Sequence, residues 1–472
     1  MQEPGVIVID IGKTLSKVTL CLGGAVAARR ERVNRVVEQD GVGVLDVDGI
    51  EEWLAAAIGD LARRGPVGSI VPVAHGAAAA IIRDGKLAFA PPDYEQEIPG
   101  PIRAEYDCER DPFALIGSPA LPAGLNLGAQ LFWLERSQPA RFDAKSRILT
   151  WPQYWSWLLS GVAACEVSSL GCHTDLWRPL EGKFSALANR RGWVERLAPL
   201  RPAGDVLGPI TRKWARRTGL DPSTGVLCGV HDSNAALLTV RGIEAIAIDD
   251  ATVLSTGTWF VALRASAEGE RIDPSLLPEN RDCLVNVDVQ GRPVPSARFM
   301  GGREIQLLCA EGGVRIEDPA SQPALLAALT TIVTERRMIL PTMAPGVGPF
   351  PDARPAWIDA PESPAARAAC VALYAALVSD AMLELIQARG SLVIEGRFAR
   401  AEAFTRALAS LRPDLRILVV EGELDLALGA ARLVDPAMAS SVRLVEVAPL
   451  DRALVDYRVE WRARVDTRAR QN

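Results

Sequence analysis

The chain has only three histidines, His75, His173 and His231, and none shares a metal-ligand spacing with a cysteine or an acid. Its eight cysteines are scattered, with no Cys-x-x-Cys pair and only Cys165 and Cys172 near one another. That excludes a zinc-ribbon framework and a paired-thiol redox motif, and leaves the cysteines as reduced, apolar fillers. Basic excess is missing as well: the net charge is −6, with cations and anions interspersed, so no nucleic-acid partner is expected. No stretch of about 18 uncharged apolar residues occurs, and the first residues carry no basic segment leading into an apolar one. The expectation is a soluble, cytoplasmic protein with no membrane partner.

What is present is apolar material for more than one core. Of 472 residues, 49% are hydrophobic, and at roughly 100–200 residues per domain the length gives two or three domains. Strand-like and helix-like segments alternate, with a reprise after Ala245, which predicts an α/β protein of two mostly parallel domains, each with antiparallel hairpins at one edge. We divide the chain into residues 1–240, 241–438 and a tail, 439–472, with a hinge near Val240 to Glu244. The arginine-rich end, Arg452 to Arg470, carries acids between its cations and reads as a solvated segment.

Two stretches about half the chain apart repeat one pattern: Val6 to Leu20 (VIVIDIGKTLSKVTL) and Ala245 to Leu263 (AIAIDDATVLSTGTWFVAL). Each has a β-branched apolar run, one or more aspartates, a turn of small and hydroxyl residues, and a second strand. The first turn is Gly12, Lys13 and Thr14, beside Asp10; the second is Thr256, Gly257 and Thr258. Backbone N–H groups at such turns can cradle phosphate oxygens, while a carboxylate at a strand end holds a hydrated cation. A single hairpin of this kind is ordinarily just a turn. Two of them point to a nucleotide cleft, with Asp10 as the Mg²⁺-holding group.

Between the hairpins lies Gly229-Val230-His231-Asp232-Ser233-Asn234, after the apolar segment Gly225 to Val230 and before the helix-compatible Ala235 to Val240. A carboxylate there ends a buried strand and opens on a cleft. Phosphoryl transfer needs a group that orients a hydroxyl and takes its proton, and Asp232 is the candidate; a helix N-cap is the plainer role, and the two can coexist. Further elements are a helix near Ile50 to Arg64, a strand Ser69 to Ala74 that delivers His75, and a helix Pro364 to Ala388. A strand Leu392 to Glu395, a helix Ala401 to Leu411, a strand Arg416 to Val420 and a helix Leu424 to Leu433 come after it. Gly396 then sits at the carboxyl end of a strand, where nucleotides bind in open α/β sheets.

The order of first phosphate hairpin, Gly-x-His-Asp, second phosphate hairpin and late Gly-rich turn resembles the FGGY family of carbohydrate kinases over nearly the whole chain. Val73-Ala74-His75-Gly76 resembles the family's sugar-binding His-Gly segment, and Thr256-Gly257-Thr258 its second phosphate motif. Glu395-Gly396-Arg397-Phe398 with Leu428-Gly429-Ala430-Ala431 resembles its adenosine-side pattern. The resemblance implies two actin-like, ribonuclease H-like α/β domains with nucleotide and sugar in the cleft between them, ATP and Mg²⁺ as cofactors, and a homodimer. Two departures stand out. Lys13 intervenes where the family continues with hydroxyls, which places a cation at the transferring phosphoryl or merely replaces a contact, and Glu395 stands where the family has a first glycine.

On this reading Gly12, Lys13, Thr14, Thr256, Gly257, Thr258, Gly396 and Arg397 bind nucleotide, and Asp232 is the base. His75, Gly76, His231, Trp133 and Asp175 bind or frame the sugar. His173, Gln130 and Gln153 are weaker pocket candidates, and Gly301-Gly302 is a turn whose glycines could approach nucleotide. Clustered tryptophans (Trp133, Trp151, Trp155, Trp157, Trp177, Trp193) suit a sugar pocket through stacking, although helical spacing assigns most of them to a core. The reading closest in feel is the rhamnulokinase and fuculokinase branch, acting on a 6-deoxy-ketohexose such as L-fuculose or L-rhamnulose. The alternative is a nucleotide-binding sugar sensor or ATPase of the actin-like superfamily.

Overall fold

The computed structural model describes residues 4–243, 246, 251–265, 269–310, 313–422, 424–438, 442–450 and 454–470. The apolar run at the start becomes β1 (Gly5–Ile11), every residue of which is buried, as a central strand covered on both faces requires. It pairs antiparallel with β2 (Leu15–Leu22), which pairs antiparallel with β3 (Ala25–Val33). On its other side β1 runs parallel to β4 (Val67–Ala74). The sheet continues from β4 through β6 (Gly225–Leu227) to β5 (Val206–Pro209), and β7 (Val230–His231) pairs with β4 just beyond β6.

The second half repeats this plan. Strands β8 (Ala251–Thr256), β9 (Phe260–Arg264), β10 (Cys283–Val287), β11 (Pro293–Phe299), β12 (Gly390–Gly396), β13 (Leu415–Glu421) and β14 (Arg443–Glu446) form a sheet of order β10-β11-β9-β8-β12-β13-β14. Antiparallel pairing of β8, β9 and β11 on one side and parallel pairing of β8, β12 and β13 on the other match β1, β2, β3 and β1, β4, β6. This is the duplicated α/β architecture expected from the sequence, but the sheets are mixed in place of the mostly parallel ones expected: antiparallel strand pairs equal the parallel ones in number in the first sheet and exceed them in the second.

Helices α1 (Val47–Ala62), α2 (Leu127–Ser137), α3 (Trp151–Ser160), α4 (Asp232–Arg241), α5 (Gly301–Cys309), α6 (Pro364–Leu385), α7 (Glu402–Leu411), α8 (Leu426–Ala431) and α9 (Val455–Arg470) alternate with these strands or close the chain after them. α1 starts three residues before the expected Ile50 because Asp46 caps it, accepting from Gly49 N at 3.1 Å. α6 is long and apolar enough to cross a membrane by composition alone, yet 89% of its most apolar window is buried in the second core. The expected hinge includes Glu244, which lies outside the described residues. α4 packs against α8, where a Cβ on Gly429 would collide with Ala235 O, so only glycine allows the two helices to approach this closely.

The solvated tail expected at the end is corrected. Leu454, Tyr457, Trp461 and Val465 recur at helical spacing and are buried in the second core. Trp461 Nε1 donates to Ile339 O at 2.7 Å, and Arg462 pairs with the buried Asp380 at 2.8 Å. The arginines that made the segment look solvated cover an apolar stripe and reach carboxylates beyond it.

Candidate active site

Asp10 lies at the end of β1, level with Lys17 of β2 and Val73 of β4, and is buried. After it the chain turns, with Gly12 N donating to Leu15 O at 3.1 Å. A residue that the motif pattern does not single out braces this turn: Asn34 donates from Nδ2 to Gly12 O at 2.8 Å and from its backbone N to Thr14 O at 2.8 Å. Nothing in the sequence marks Asn34, because its partners lie two strands away. The Lys13 side chain has partners beside the turn. Its ammonium pairs with Asp93, lies 3.5 Å from Glu95 Oε2 and stands 4.5 Å from the centre of the Tyr94 ring, so it faces the wall beside the turn.

β4 and β7 run side by side and end together, which brings His75 and His231 to one place. Both imidazoles are buried, yet neither nitrogen of His75, nor Nδ1 of His231, has a hydrogen-bond partner. Gly76 is pressed between Cys172 and His231, whose Nε2 would lie 3.0 Å from a Cβ there. Asp232 opens α4 with its side chain one-third exposed. Its Oδ1 accepts from Ser233 N at 2.6 Å and Ser233 Oγ at 3.3 Å and lies 3.2 Å from His231 Nε2, while Oδ2 is left to the cleft.

Several other pocket candidates serve the framework instead. Asp175 is wholly buried, bonded by Tyr106, by Arg110 Nη2 at 3.2 Å and by Asn126 Nδ2 at 3.2 Å, so its charge is compensated internally. Trp133 packs in the first core. Gln130 Nε2 donates to Ala77 O at 2.9 Å, and Gln153 Nε2 ties α3 to Cys228 O at 3.1 Å. His173 is engaged through Nδ1 with Leu125 O at 2.7 Å.

In the second hairpin Gly257 corresponds to Gly12, so Ser255 stands where Asp10 stands; Asp249 and Asp250 lie outside the described residues. Thr256 is an organiser: its hydroxyl donates to Glu395 O at 2.5 Å and accepts from Phe398 N at 3.1 Å. Gly257 and Thr258 are exposed at the turn. The start of α5 is seated directly on it, with Arg303 N donating to Thr258 O at 3.3 Å. Gly396 has φ 88° and ψ −166°, a conformation open to glycine, and a Cβ there would stand 2.6 Å from Thr256 O. Beside it a cavity of about 220 Å³ opens between Ile305, Gln306 and Cys309 of α5 and Glu317, Arg397 and Phe398. Arg397 is tied to Glu317, with Nε to Oε1 2.9 Å, and does not project freely.

The electrostatics follow from burial at the strand ends. Burial pushes the Asp10 carboxyl up to about 7, with Asp232 and Asp425 adding repulsion and Lys17 and Arg29 opposing it. Burial brings His75 down to about 4, so its ring is neutral at physiological pH and can both donate to and accept from hydroxyls. Among the described residues no three His, Cys, Asp or Glu side chains cluster into a metal cage. Magnesium is ordinarily held by one or two carboxylates together with phosphate oxygens and water, and Asp10 is the buried carboxylate at the end of β1 that could serve as one of them.

This geometry has known counterparts. Residues 249–441 match the C-terminal domain of the FGGY carbohydrate kinases. The crystal structure of a carbohydrate kinase from Novosphingobium aromaticivorans is 50% identical, with TM-score 0.95 over 99% of each chain. A probable L-xylulose kinase of Pasteurella multocida is 26% identical over 277 residues, 54% of this chain and 54% of that protein. The L-xylulose/3-keto-L-gulonate kinase of Escherichia coli is 30% identical over 136 residues, 28% of this chain and 26% of that protein. The chain therefore matches about half the length of the first curated relative and a quarter of the second.

Proposed function

The chain belongs to the FGGY carbohydrate kinases, phosphotransferases with an alcohol group as acceptor, and from that premise we propose that it transfers the γ-phosphoryl group of ATP to a hydroxyl of a small ketose. The observation that carries this is the pair of buried imidazoles with unbonded ring nitrogens, His75 and His231, beside a half-open carboxylate at the strand ends. A buried polar group without a partner costs about 1–3 kcal/mol, and sugar hydroxyls supply the missing partners.

Asp232 Oδ2 accepts the proton of the attacking hydroxyl as the O–P bond forms and ADP leaves with the bridging oxygen's electron pair. Ser233 and His231 hold Oδ1, so the free oxygen keeps its aim. Gly12 N and Gly257 N close their own turns on Leu15 O and Trp259 O, which leaves the amides of Lys13, Thr14 and Thr258 to face the phosphates, and the slot beside Gly396 takes the adenosine. Asp10 would hold Mg²⁺, which would supply charge neutralisation at the phosphates. Closure about the α4–α8 joint excludes water, which would otherwise hydrolyse ATP.

For the acceptor, L-xylulose and the keto-acid 3-keto-L-gulonate stand ahead of L-fuculose and L-rhamnulose, because they name the two curated relatives. A cytosolic location fits a kinase that draws on cellular ATP. The test is ADP formation from Mg·ATP across these ketoses, related polyols and aldonates, with a sugar-free control. Turnover with one acceptor supports the proposal. Sugar-independent turnover, or none across the panel, moves it to a sensor or ATPase.

A further inference from the structure

The first phosphate turn carries one side chain that this chemistry leaves unused. We propose that Lys13 is a positioning residue for the sugar pocket: fixed by Asp93, its ammonium holds the Tyr94 ring against His75 and so sets the wall on which the acceptor lies. The inference rests on the sugar kinase reading and assigns Lys13 to the acceptor side, not to the nucleotide.

Three contacts carry it. The Lys13–Asp93 pair is shielded from water, with side-chain exposures of 16% and 9%, so the ammonium is largely neutralised before any polyphosphate arrives. The same ammonium lies 4.5 Å from the Tyr94 ring centre, where a cation is attracted to the aromatic face. The other side of the relay is an edge-to-face contact of Tyr94 with His75, centroids 5.6 Å apart and planes at 80°. His75 has no hydrogen bond on its ring, so packing alone, from Tyr94 and from Trp151 at 6.5 Å, sets the orientation in which it meets a hydroxyl. Asp93 is itself well fixed, donating from its amide to Gly43 O at 2.9 Å and accepting at Oδ1 from Glu95 N at 3.1 Å. A short path thus runs from the phosphate turn through Lys13 and Tyr94 to the sugar-side imidazole.

The experiment compares Lys13→Met, Lys13→Arg and Asp93→Asn with the wild-type chain. Lys13→Met is expected to raise the KM and the calorimetric Kd for the acceptor about tenfold, with the KM for ATP within about twofold of wild type. Lys13→Arg should restore most of the loss, and Lys13→Met with Asp93→Asn should be no worse than either alone, because the two act through one pair. A rise in the KM for ATP with acceptor binding unchanged, or additive losses, overturns the proposal. Amide exchange at Glu95 and Gln96, measured without ligand, should be faster in Lys13→Met; an unchanged rate overturns it even where no acceptor is turned over. Faster exchange in a chain that phosphorylates nothing on the panel counts against the kinase reading alone.

Discussion

His231 Nε2 lies 3.2 Å from Oδ1 of Asp232, its own neighbour in the chain. The contact arises because His231, at φ −62° and ψ 140°, is still extended while Asp232 begins the helix, so the imidazole folds back over the carboxylate. Two Ser233 donors converge on the same oxygen. One carboxylate oxygen is thereby anchored and the other presented, the division of labour that a base acting on a single hydroxyl needs.

Asp232→Asn keeps the shape of the side chain and an acceptor for Ser233 N, but removes the proton sink. Turnover should fall about a hundred- to ten-thousandfold, while acceptor binding by calorimetry and thermal stability stay near wild type. Activity within tenfold of wild type would take the base role away from Asp232.

Gly302 tests the nucleotide side alone. A Cβ there would run into Gly257 O, so Gly302→Ala must push the second phosphate turn away from α5. The KM for ATP should rise severalfold while acceptor affinity is unchanged. If both move together, the turn and the sugar pocket are coupled more tightly than their separation in the fold implies.

The parts of this site that are legible in the sequence are those built locally. β-Branched runs interrupted by Gly12 and Gly257 give hairpins whatever surrounds them, and a His or Asp directly after a buried strand has to emerge at the sheet's edge. His75, His231, Asp232 and Gly396 stand out in that way. The misplaced residues have their roles set by distant partners. Asp175 looks like a pocket acid until Arg110 and Asn126 close on it, and the partner of Lys13 is Asp93, 80 positions away. The tail misleads for another reason: its apolar stripe is present, but arginines on every other face hide it.

That stripe gives a stability prediction. Trp461 is fully buried and its Nε1 is bonded to Ile339 O at 2.7 Å. Trp461→Ala should destabilise the second domain by about 3–5 kcal/mol, read from its denaturant midpoint. A loss below about 1 kcal/mol would mean that α9 only rests on the core.

Glu166 predicts a pH dependence of stability. It is completely buried beneath the catalytic strand ends, where its carboxyl accepts from Ser168 N at 2.9 Å and Ser169 N at 3.0 Å, and Ser168 Oγ accepts from His231 N at 3.4 Å. Burial outweighs these donors and lifts the group from 4.5 to about 7. Between those values the native state keeps a proton that the unfolded chain has released. The Glu166 contribution is therefore full below about pH 4.5, declines as pH rises, and is gone above about pH 7, a change of about 3 kcal/mol. Glu166→Gln cannot titrate, so its denaturant midpoint should fall less than that of wild type between pH 5 and pH 8. Parallel curves for the two proteins would show that Glu166 is ionised in the native state across this range, with its serine donors outweighing its burial.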